Sequence, residues 1–134
     1  MSDCIFCKII EGEIPSFKVY EDDTFLAILD RFPGSTGSVL ILTKRHAADM
    51  FSLNQTETAG LMPLAKRIAE KMLSTLNPAG LNILQNNGAS AGQEIFHYHM
   101  HVIPRYENDN IRFHKPPTSP PLEQLADIAL RLTV

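Results

Sequence analysis

His97-Tyr98-His99-Met100-His101-Val102-Ile103-Pro104 alternates imidazoles with apolar side chains and then runs on as an apolar, β-favouring stretch. A strand turns successive side chains to opposite faces. The run therefore predicts a strand over residues 95–103, with His97, His99 and His101 on one face and Tyr98, Met100 and Val102 on the other. Each buried ring nitrogen needs a hydrogen-bond partner. Three imidazoles on one half-buried face thus point to a metal site or a phosphate-handling site, against the plainer reading of core histidines satisfied by backbone groups. Immediately upstream, Gly88-Ala89-Ser90-Ala91-Gly92-Gln93-Glu94 is a glycine-bearing loop. Such loops bring backbone N–H groups close to anions, though they also serve as plain hairpin connections.

Working outward, the apolar run 38–43 predicts a central strand covered on both faces, with Lys44-Arg45-His46 at its end. Residues 17–20 and 24–29 predict a hairpin turning at Glu21-Asp22-Asp23, its second strand ending at Asp30. Asn54 to Glu57 has the form of an N-cap with a glutamate three residues on. Leu61, Leu64, Ile68, Met72 and Leu76 then form one stripe of a long helix that Pro63 should kink or start late. Residues 81–84 predict a further strand, residues 4–11 a short N-terminal helix, and Leu122, Leu125, Ile128, Ala129 and Leu132 a short final helix. Five of nine prolines fall between Pro104 and Pro121, which predicts an extended surface tail. Strands clustered before and after one long helix, with hairpin-length links, favour an α+β fold on an antiparallel sheet of about five strands. The long helix should cover one sheet face and leave the other free for a ligand or a second subunit.

The chain of 134 residues predicts a single domain over 1–134, with its core at 4–105 and a proline-rich tail at 106–134. A net charge of −3 offers no basic face for nucleic acid. No apolar run approaches the ~20 residues that span a bilayer, and no leader pattern opens the chain, so a cytoplasmic protein without membrane or nucleic-acid partners is expected. Cys4 and Cys7, separated by two residues, have the spacing of a metal clip or a redox pair rather than of a disulfide framework; the plain alternative is two small buried hydrophobes. As zinc ligands they would need two more.

The alternating histidines, with Gly92-Gln93 and Asn86 upstream, Cys4-Ile5-Phe6-Cys7-Lys8-Ile9-Ile10 with Ile14-Pro15, and the strand ending Leu26-Ala27-Ile28-Leu29-Asp30, resemble the histidine triad (HIT) superfamily over residues 4–105. The likeness is greatest to its Hint-type nucleoside phosphoramidate hydrolases. It implies a HIT-like fold, a homodimer, and binding of a purine nucleoside monophosphate or phosphoramidate. It also implies hydrolysis through a covalent nucleotidyl-histidine with no metal needed for the chemistry. By the same resemblance His99 is the nucleophile, and His101 and His97 are its catalytic companions. Attack on phosphorus requires a neutral ring with one free nitrogen, so the other nitrogen of His99 should donate to a backbone carbonyl. The resemblance puts the ribose on Asp30 and the base in an apolar slot of Phe6, Ile9, Ile14 and Ile28. Asn86, Gln93 and Glu94 would face the phosphate and leaving group, and Cys4, Cys7, His46 and His97 would hold a structural zinc. Glu94 departs from the serine or threonine of many members, since a carboxylate beside a phosphate is repulsive unless protonated or turned away. Rival readings are a zinc hydrolase with the metal on the triad, a dinucleoside polyphosphate hydrolase or nucleotidyl transferase, and a non-catalytic nucleotide-binding protein.

Overall fold

The computed structural model describes residues 3–113 and 117–134; His114 lies outside them. Helix α1 (Ile5–Ile10) leads into strands β1 (Lys18–Glu21), β2 (Phe25–Leu29) and β3 (Val39–Thr43). The long helix α2 (Gln55–Leu76), strands β4 (Gly80–Leu84) and β5 (His99–Arg105), and helix α3 (Leu122–Leu132) follow. The strands form one sheet in the order β1-β2-β3-β5-β4, every neighbouring pair antiparallel.

Central strand β3 is buried at all five positions, because both of its faces are covered. On one face α2 packs Leu61, Leu64, Ala65 and Met72 against Ala27, Val39, Ile41, Tyr98, Met100 and Val102. On the other, Phe6 and Ile9 of α1 pack on Leu26, Ile28, Leu40 and Leu42. The register His99↔Leu42 and His101↔Leu40 puts both histidines on the α1 face. Alternation thus acts as expected, but the histidine strand runs over 99–105 rather than 95–103. Residues 95–97 bend away, so His97 precedes the strand.

Three other expectations are corrected. Helix α2 starts at Gln55, under a capping box in which Asn54 and Glu57 each satisfy the other's backbone N–H, and it runs on through Pro63. The stripe reaches the surface at its last member, Leu76, which is 41% exposed. Pro104 is a buried residue of β5 opposite Leu81, not the start of a surface tail. Beyond β5, Arg105 grips Asp109 through two hydrogen bonds and donates to the Asn82 side chain and the Ile111 carbonyl. That grip holds the Asp109 carboxyl well below the usual carboxylate range.

Candidate active site and metal centre

Strands β3 and β5 are neighbours, so the chain leaving β3 and the chain entering β5 meet at the same sheet end. The Tyr98 N–H, donating to the Ala47 carbonyl at 2.6 Å, ties them together. Cys4 caps α1 and its sulfur accepts the Cys7 N–H at 3.3 Å, which places the two thiols one turn apart on the same side. They face the two histidines. Cys4 Sγ lies 3.3 Å from His97 Nδ1, Cys7 Sγ lies 3.4 Å from His46 Nδ1 and 3.5 Å from His97 Nδ1, and the two Nδ1 atoms are 3.1 Å apart.

His97 Nε2 donates to the Thr43 carbonyl at 2.7 Å, so in the neutral ring Nδ1 carries the lone pair. Two ring nitrogens converging with two sulfurs form a set of electron donors that suits a cation. Zinc bonds of about 2.0–2.1 Å to nitrogen and 2.3 Å to sulfur, meeting at tetrahedral angles, set N–N and N–S edges of roughly 3.3 and 3.6 Å. The observed spacings match, and all four ligand atoms lie within 4.8 Å of one another. In the protein alone, burial, helped by the neighbouring Cys4 thiol, pushes the Cys7 thiol up to about 11; a bound zinc ion would reverse that by taking the thiolate as ligand.

His99 is half-buried, with its Nδ1 donating to the His97 carbonyl at 2.8 Å, as attack at phosphorus requires; Nε2 is the nitrogen left over. The Phe6 ring stands edge-on to His99 at 4.9 Å, and His101 lies 5.1 Å away between ring centroids. Burial, with His99 nearby, lowers the His101 pKa, and the Asp30 carboxylate partly opposes that. Asp30 closes β2, its N–H donating to Ser38 and its Oδ1 accepting from the Phe32 N–H.

Several assignments change. The His97 side chain is fully buried, with one nitrogen on Thr43 and the other in the thiol cluster. Its ring thus lies in the candidate metal cluster, and its carbonyl accepts from His99. Gln93 is also buried, donating to the Ala48 and Ile95 carbonyls and accepting the Gly88 N–H. Its amide thus braces the loop that leads into the histidine strand. Asn86 closes the same loop; with its amide turned so that nitrogen meets the acceptors, that nitrogen reaches the Ala91 and Gln85 carbonyls at 3.2 and 3.3 Å. Phe6, Ile9 and Ile28 are buried in the α1-side core, with Phe6 beside His99, and Ile14 packs against the same cluster while only partly buried. Glu94 is exposed, beside Cys4 and Phe96 in a cavity of about 330 Å3. Two contributors escaped the sequence reading. The Thr43 carbonyl orients His97, and Arg45 clamps Glu57 at 2.6 and 3.1 Å, holding the segment with His46 against α2. The capping signature had marked Glu57 only as a helix cap; nothing in the pattern named Arg45.

Comparison with known proteins agrees with this geometry. The Schizosaccharomyces pombe protein named adenosine 5'-monophosphoramidase is 42% identical over 76% of this chain and 74% of its own length. The Arabidopsis thaliana protein named adenylylsulfatase is 44% identical over 81% of this chain and 55% of its own. A crystal structure from Streptococcus mutans UA159 superposes with a TM-score of 0.92 at 37% identity, covering 98% of this chain and 84% of that one. A zinc-bound histidine triad family protein from Mycobacterium smegmatis superposes at 0.78 with 36% identity, over 87% and 85% of the two chains. The HIT domain family model matches residues 11–108. With its five-stranded antiparallel sheet and its histidines in register on β5, the chain belongs to the HIT family.

Proposed function

We propose that the protein is a hydrolase of purine nucleoside 5'-phosphoramidates or related mixed phosphoanhydrides, working through a nucleotidyl-histidine on His99. The observation that carries this reading is the anchored tautomer: Nδ1–H is held by the His97 carbonyl at 2.8 Å, which presents Nε2 as the nucleophile. In the first step the Nε2–P bond forms and the P–N bond to the amine breaks, the amine leaving with a proton. In the second, water attacks phosphorus, the P–Nε2 bond breaks and the nucleoside monophosphate departs. His101, whose pKa burial lowers, would donate to a phosphoryl oxygen as charge develops, and Asp30 would accept from the ribose hydroxyls. Glu94 would stand near the leaving group only by turning inward from its exposed position.

Cys4, Cys7, His46 and His97 would hold a structural zinc, supported by their spacing and by the zinc-bound relative. Bound there, zinc would supply cross-linking of α1 to the ends of β3 and β5; catalysis would not require it. A zinc on the triad itself fits less well, because His97 and His99 turn their nitrogens to different partners. A homodimer is supported by the open edge of β4, where Ile83 is 37% exposed. Among the described residues no helix is long and apolar enough to cross a membrane; a cytoplasmic place belongs to the same proposal, as does a single domain over 1–134.

Rapid mixing with adenosine 5'-phosphoramidate, followed by mass spectrometry, tests the mechanism. An acid-labile AMP adduct on His99, absent in His99→Ala, with AMP released on turnover, is expected; turnover surviving in His99→Ala would overturn it. Running adenylylsulfate and a dinucleoside polyphosphate alongside separates the leaving groups. An amine departs with a proton whereas sulfate departs without one, so a preference between them reports whether the site donates that proton. Nucleotide binding without turnover of any of them would assign a non-catalytic role.

A further inference from the structure

On the sheet face away from the histidines lies an apolar groove of about 730 Å3 between α2 and the β1–β2 side. Leu64, Ile68, Met72 and Leu76 line one wall, and Val19 and Leu29 the other. These four α2 residues are each four apart, so they form one helical stripe about 18 Å long. Arg67 and Lys71 stand on its rim.

Helix α3 is the matching piece. Leu122, Leu125, Ile128, Ala129 and Leu132 make one face of it at helical spacing, and none of its residues is buried. Leu122 is 82% exposed and Leu132 71%. Eleven residues span about 16 Å, close to the length of the stripe. Its polar side carries Glu123 and Asp127 against Arg131, so its charge opposes that of the rim. In the folded chain the groove stays open and the helix stays out of it. Pro121 sits at φ −58° and ψ 145°, an extended geometry that Pro117 and Pro120 also favour.

The geometry points to α3 of one chain docking, apolar face down, in the α2 groove of a second copy. This rests on and deepens the dimer reading above by naming the occupant of the groove. A long apolar face on each copy, otherwise facing water, would then be covered in trans.

The test mixes two full-length chains of different mass, one carrying Leu125→Cys and the other Ile68→Cys or Thr75→Cys, with the native Cys4 and Cys7 retained. Wild type paired with each variant supplies the background. Under mild oxidation a disulfide-linked heterodimer is expected at roughly tenfold or more over background, because docking holds the thiols at high effective concentration. A double variant that cross-links within one monomeric chain at high dilution would overturn the proposal in favour of docking on its own groove. Absence of both cross-links overturns it outright. Light scattering on the same samples separates the two readings: a dimer without the cross-link discards the docking alone, whereas a monomer without it discards both.

Discussion

Glu57→Gln is expected to destabilise the protein by about 2–3 kcal/mol. The Glu57 side chain is 3% exposed, and its carboxylate accepts from Arg45 Nη2 at 2.6 Å, from Arg45 Nε at 3.1 Å and from the Asn54 N–H at 2.9 Å. Breaking a buried ion pair by removing one partner costs about 3–5 kcal/mol. Here the figure is lower, because Arg45 is 48% exposed and can regain water. Glutamine keeps the volume and one acceptor, but its amide NH2 then faces a donor. For 134 residues each kcal/mol moves Tm by about 3–4 °C, so the variant should melt roughly 7–10 °C lower by circular dichroism at pH 7. Burial raises the Glu57 pKa, but Arg45 and the Asn54 N–H outweigh it and the net direction is downward from 4.5. The pair's contribution is therefore present above pH 4.5 and lost as pH falls through the lower folded value, so the two melting curves should converge in acid. Arg45→Met should cost more than Glu57→Gln, since it leaves a buried carboxylate with only its capping partner. A Tm change under about 2 °C for Glu57→Gln would refute the reasoning, because the pair would then be exchanging with water in the native state.

Tyr98 is 1% exposed, and among the described residues its hydroxyl has no hydrogen-bond partner; burial alone pushes its pKa up to about 12. Tyr98→Phe should therefore stabilise by about 1 kcal/mol in urea titration, the relief of an unpaired polar group less a small cavity. At Gly60 an added Cβ would meet Phe25 Cε2 at 2.8 Å, and Phe25 is 4% exposed. Gly60→Ala should lower stability by about 1 kcal/mol in the same titration, overpacking outweighing the better helix propensity. Zinc at about a hundredfold above its Kd should raise Tm by roughly 10 °C, from about 2.7 kcal/mol of linkage. Chelation should reverse that rise, and Cys7→Ser should abolish both the rise and the metal content measured by elemental analysis.

Local pattern sufficed wherever a short-range rule decides the structure. Strict alternation put His99 and His101 on one face and Met100 and Val102 on the other, because a strand repeats every two residues. Asn54-x-x-Glu57 marked the start of α2 through a capping box only four residues long. The continuous apolar run of β3 announced a strand covered on both faces. What decides the role of each site residue lies tens of residues away along the chain. His97 is 54 residues from Thr43, whose carbonyl takes its Nε2 proton, and 93 from Cys4. Only the adjacency of β3 and β5 brings four scattered cysteine and histidine side chains into one cluster and sets His97 apart from the row of histidines. Gln93 and Asn86 carry polar groups that suit a phosphate, yet closing the 86–93 loop uses their hydrogen bonds at home. Phe6, Ile9 and Ile28 are apolar either way, and packing alone assigns them to the core. Residue order determined the elements and their faces, because those depend on φ, ψ and side-chain period. Tertiary structure decided which ring nitrogen each histidine gives to a carbonyl, which imidazoles meet the thiols and which amide is already satisfied, because such contacts depend on ångström distances between atoms that the chain order leaves far apart.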